Sequence, residues 1–83
     1  MSEKHICPVC GFDGLKEAPF GPHHEPSYEI CPCCGFEFGF DGANDKIVFA
    51  EFRRRWIKNG AHWFISKIKP KNWVLRKQLN NLM

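Results

Sequence analysis

No run of about 18 apolar residues occurs in this chain, so no stretch is long enough to span a bilayer. The opening Met1-Ser2-Glu3-Lys4-His5 has no charged head followed by an apolar stretch, which excludes the pattern of a secretory leader there. The expectation is a soluble, cytoplasmic protein whose thiols stay reduced. Catalytic signatures are missing as well. There is no phosphate-cradling glycine loop, no nucleophile elbow and no His-Glu-x-x-His helix, and no enzymatic role or small-molecule substrate is expected.

Charge of one sign is scarce in each half. Residues 1 to 45 hold only Lys4 and Lys16 against eight acids, a net of −6, whereas residues 46 to 83 hold ten bases against Glu51 alone, a net of +9. The modest overall charge of +3 therefore conceals a dipole. Its expected use is contact with another macromolecule. One reading is association with a protein, head to tail with itself or with an acidic partner. Another is nucleic acid held by Arg53, Arg54, Arg55, Lys58, Lys67, Lys69, Lys71, Arg76 and Lys77, with Trp63 and Trp73 as stacking surfaces. The opposing reading makes these bases the solvated face of amphipathic helices.

What the chain does have is a duplicated hexapeptide. Cys7-Pro8-Val9-Cys10-Gly11-Phe12 recurs 24 positions later as Cys31-Pro32-Cys33-Cys34-Gly35-Phe36. Two residues between cysteines let one tight turn aim both sulfurs at a point, and proline presets the φ at which such a turn begins. Glycine after the second cysteine suits a backbone of positive φ, from which amide hydrogens can point back at the sulfurs. Cys7, Cys10, Cys31 and Cys34 are thus the expected ligands of one metal ion. Zinc is the usual occupant, and iron is the competitor, because ligand type alone does not separate them; with iron the expected role is that of a rubredoxin-like electron carrier. Disulfides are disfavoured by the count of five cysteines and the absence of a secretory leader. Cys33 aligns with Val9 and is expected to pack as a small apolar side chain; the alternative is a redox-active thiol beside the ion. His23 and His24, in a loop rich in proline and glycine, are surplus to four cysteines.

Around the repeats, His5-Ile6 and Tyr28-Glu29-Ile30 read as short strands, and Asp13-Gly14 as a hairpin turn. Phe36, Phe38 and Phe40 alternate as one face of a strand. From Lys46 to Asn59 the apolar period lengthens, with Val48, Phe49, Phe52 and Trp56 on one helical face, capped by Asn44 or Asp45 and stopped at Asn59-Gly60. Residues 61 to 69 are too apolar for a free loop, and a last helix opening at Pro70 or Asn72 carries Leu75, Leu79 and Leu82.

The Cys-Pro-Val-Cys-Gly and Cys-Pro-Cys-Cys-Gly-Phe-Glu-Phe-Gly turns, with the phrases Trp56-Ile57-Lys58-Asn59-Gly60-Ala61-His62-Trp63-Phe64 and Lys69-Pro70-Lys71-Asn72-Trp73, resemble small bacterial cysteine-rich proteins that carry a CPCC motif. The two cysteine elements stand here in the reverse of that family's commoner order. The resemblance implies a zinc-ribbon or rubredoxin-like core and a bound metal, and no settled activity. The expectation is a single α+β domain over residues 1–83: a small zinc-ribbon, rubredoxin-like β-hairpin unit over 1–45, followed by two or three packed α-helices over 46–83.

Overall fold

The computed structural model describes residues 4–83. Its longest element is α1, Lys46–Lys58, followed by a 3-10 turn at Ser66–Ile68, a five-residue helix α2 at Leu75–Leu79, and a second 3-10 turn at Asn80–Leu82. The helical expectation holds best for α1. Asp45 caps it by accepting the Ile47 amide at 2.8 Å through its carboxylate. Its far end closes in a Schellman motif: the Gly60 amide donates to the Ile57 carbonyl and the Ala61 amide to that of Trp56. Gly60 stands at φ +105°, which a side chain would resist.

The α+β class with a β-hairpin ribbon is not what the chain adopts. Among the described residues there is no strand, only isolated antiparallel pairs at His5 with Leu15, Phe20 with Pro26, and Ile30 with Glu37, and a parallel pair at Phe38 with Gly42. The reason is local. A ladder needs several consecutive extended residues on both sides, and here each pairing is cut off after one rung. Beyond Ile30 the chain enters the second cysteine turn, and on the other side Tyr28 stands at φ +61°. The Asp13-Gly14 turn does bring Leu15 back to His5, with an amide-to-carbonyl bond of 3.3 Å, and goes no further.

The phenylalanine strand fails at its end for a similar reason. Phe36 and Phe38 are fully buried on one side, as alternation predicts, but Phe40 is 78% exposed. The Phe40 and Asp41 amides both donate to the Glu37 carbonyl, and Gly39 at φ +100° turns the chain out. Two residues of strand-like backbone are enough to place two rings; the third is carried off by the turn.

Those two rings meet α1. Phe36 packs edge-on to Phe52 at 5.0 Å and to Phe49 at 5.7 Å, while Phe38 meets Phe20 at 5.8 Å. Farther along the same helix, Trp56 meets Trp73 at 6.4 Å, Trp73 meets Trp63 at 5.7 Å, and Trp63 meets Phe12 at 5.6 Å. One helix therefore joins two aromatic clusters. Such edge-to-face pairs add about 0.5–1.5 kcal/mol each beyond their buried area. The expected last helix is reduced to five residues, though Leu75 still packs against the core.

Candidate metal centre

The two hexapeptides fold as copies. In the first, the Cys7 amide donates to the Phe12 carbonyl at 2.7 Å and the Gly11 amide to the Cys7 carbonyl at 2.9 Å. In the second, the Cys31 amide donates to Phe36 at 3.0 Å and the Gly35 amide to Cys31 at 2.8 Å. Gly11 and Gly35 lie at φ +86° and +82°, the left-handed region their positions called for. Their own amides bond to the carbonyl of the first cysteine, while in the second turn the Cys34 amide points back at the Cys31 sulfur, as expected of such a turn.

The turns bring Cys7, Cys10, Cys31 and Cys34 together, with all four sulfurs within 4.8 Å of one another. Cys7 Sγ lies 3.8 Å from Cys34 Sγ, and Cys10 Sγ lies 3.7 Å from Cys31 Sγ. A tetrahedral ion with metal–sulfur bonds of about 2.3 Å separates its sulfurs by about 3.8 Å. The donor set and its spacing fit a metal ion, and these four buried cysteines could hold one. Without a cation, the sulfurs can only share protons. Contact with the Cys31 sulfur raises the Cys10 thiol above its ordinary range, and the same contact lowers that of Cys31. A divalent ion replaces that sharing with charge balance for several thiolates at once.

Cys33 is outside the four. It is fully buried, and the Gln78 side chain donates to its sulfur through Nε2 at 3.3 Å. Cys10 and then the Gln78 amide draw its thiol below the ordinary range, against the effect of burial. His23 and His24 lie exposed and do not join the cluster.

The sequence gives no sign of the outer support. The Arg53 guanidinium reaches from α1 to donate to the carbonyls of Pro8, at 3.1 Å, and Val9. Gln78 donates to Cys10 at 3.0 Å, and Asn81 to Gly11 at 2.9 Å. The equivalent carbonyls of the second turn, Pro32 and Cys33, are met by the backbone amides of Ile65 and Phe64, each at 2.9 Å. Arg53 had read as one of a basic run. Only its half-buried environment marks it apart from exposed Arg54 and Arg55.

No family model matches the chain, and no curated protein or solved structure is found to be similar to it. The site therefore rests on its own geometry.

Proposed function

We propose that the chain is a non-catalytic zinc protein of the cytoplasm, its single ion structural, that acts as an interaction module for another macromolecule. The observation that carries this reading is the four-sulfur cluster, its spacing that of a closed tetrahedral thiolate shell. Such a shell leaves no coordination position for substrate or activated water. In a chain of 83 residues, an ion that ties together two distant turns supplies folding free energy directly.

The interaction role draws support from the surface following α1. Phe64, Ile65 and Ile68 are exposed among Lys67, Lys69 and Lys71, an apolar group rimmed by positive charge. A protein partner suits this surface better than nucleic acid. Trp63 is only 8% exposed and Trp73 packs between it and Trp56, so neither indole is a free stacking platform. Arg53 is spent on the first cysteine turn.

Elemental analysis of purified protein, before and after chelation and alongside circular dichroism, tests the metal reading. One zinc per chain, lost together with the ordered spectrum, is the expected result. A red-brown preparation with thiolate-to-iron absorption establishes iron instead. A spectrum unchanged after complete metal removal sinks the structural role.

A further inference from the structure

The sequence singles out Cys33 as the thiol of possible redox use, yet its sulfur is sealed from solvent and hydrogen-bonded to Gln78. Accessibility points elsewhere. Of the five cysteines, Cys34 alone retains exposure, at 7%, while the other four have none. It lies against an open groove of about 500 Å³ whose walls include Asp41, Phe52, Arg55, Asn59 and His62. Across the cluster its sulfur lies 3.8 Å from that of Cys7, on the opposite turn.

We propose that Cys34 is the sulfur through which peroxide and small electrophiles reach the metal centre, and that peroxide joins it to Cys7 in a disulfide that ejects the ion. This rests on the metal reading above. In the first step the Cys34 sulfur attacks one oxygen of hydrogen peroxide. The sulfur–oxygen bond forms, the oxygen–oxygen bond breaks, and the second oxygen leaves as hydroxide. In the next, the Cys7 sulfur attacks the Cys34 sulfur. The disulfide forms and the remaining oxygen leaves as a second hydroxide. Two thiolates have given two electrons to one peroxide, and the ion has lost two of its four ligands.

The groove favours this chemistry at one ligand for two reasons. Cys34 lines it and the other three ligand cysteines, which have no exposed surface, do not. The exposed Arg55 on its rim supplies donors for the hydroxide as it departs. The other close pair, Cys10 and Cys31, is equally near at 3.7 Å but has no solvent path, so access and not sulfur spacing sets the order of attack.

The test uses the whole chain, with its metal content measured before any reagent is added; a metal-free protein overturns the reading beneath this proposal and is recognised at that stage. Substoichiometric hydrogen peroxide is then applied, the remaining thiols are blocked, and the disulfides are mapped by peptide mass spectrometry while a chromophoric chelator records released metal. The expected first product is the Cys7–Cys34 disulfide, with one ion released for each. A first disulfide between Cys10 and Cys31, or first oxidation at Cys33, overturns the proposal. Limited iodoacetamide gives a second readout, forming a sulfur–carbon bond as iodide leaves. Cys34 should acquire the first adduct on the order of ten times faster than Cys7, Cys10 or Cys31, and uniform labelling overturns it. Asn59→Trp, which narrows the groove from the exposed end of α1, should slow labelling of Cys34 several-fold at unchanged metal content. An unchanged rate in that variant counts against the groove as the route.

Discussion

The side-chain amide of Gln78 donates at once to the Cys10 carbonyl, at 3.0 Å, and to the Cys33 sulfur, at 3.3 Å. One group from α2 thereby ties together two turns that stand 24 residues apart in the sequence. Its oxygen is used as well, accepting the Trp73 indole hydrogen at 2.7 Å.

Gln78→Ala should lower the stability of the metal-loaded protein by about 1–3 kcal/mol, the usual cost of leaving half-buried partners unpaired. Gln78→Glu should cost more, because it turns an acceptor toward a carbonyl and adds a negative charge beside the thiolates. Denaturant titration measures both. The midpoint should fall while the slope stays constant, and equal stability of Gln78→Ala and the parent chain would refute the bridging role.

The two glycines predict an asymmetry. Both occupy left-handed backbone, so alanine at either is strained by about 1–2 kcal/mol. At Gly11, the added carbon would also clash with the Gln78 carbonyl oxygen, a backbone atom, whereas at Gly35 it would meet the Phe64 ring at 3.1 Å, which can shift. Gly11→Ala should therefore be much the more damaging, read as thermal midpoint and metal content. Equal loss in both variants would mean that the left-handed backbone sets the whole cost.

Cys33→Ala should leave one ion per chain, since its sulfur lies outside the cluster of four. A small loss of stability should follow from the vacated contact with Gln78. By contrast, Cys31→Ala should abolish metal binding and the ordered spectrum together. A full loss of metal in Cys33→Ala would place the fifth sulfur in the coordination shell.

Acid should release the ion. Cysteines that hold a metal do so as thiolates, so on the proposed reading every proton taken up below the ordinary thiol range competes with the metal. Affinity then falls as pH falls, by up to about four decades per unit if all four sulfurs are protonated on release. The sign is fixed by the chemistry: stability is gained as pH rises through the acid range and lost as it drops. A chelator-dye titration against pH measures it, and metal retention with no pH dependence would exclude thiolate ligation.

The residues show which parts of this arrangement a sequence can reveal. The cysteine turns were legible because their requirement is local: two sulfurs, a preset φ and a glycine, all within six positions. Helix α1 was legible for the same reason, from Asp45 as cap to Gly60 as stop. The expected ribbon was not, since Phe36, Phe38 and Phe40 alternate like a strand whether or not another segment pairs with them. Gly39 and the Glu37 carbonyl turned the chain before a ladder could form. Nor could pattern show that Arg53, the first of three consecutive arginines, bends inward to two carbonyls 44 and 45 residues earlier. Long-range pairing of that kind leaves no periodic trace.

The outward carbonyls of the two repeats are covered by unlike means, a guanidinium on one side and main-chain amides on the other. Main-chain coverage needs only an amide hydrogen at 64 and 65, so any residue but proline can supply it and those sites can vary with whatever the surface must meet. The opposite flank has no such freedom. There, replacing a single arginine would be felt at the sulfurs, although it touches none of them.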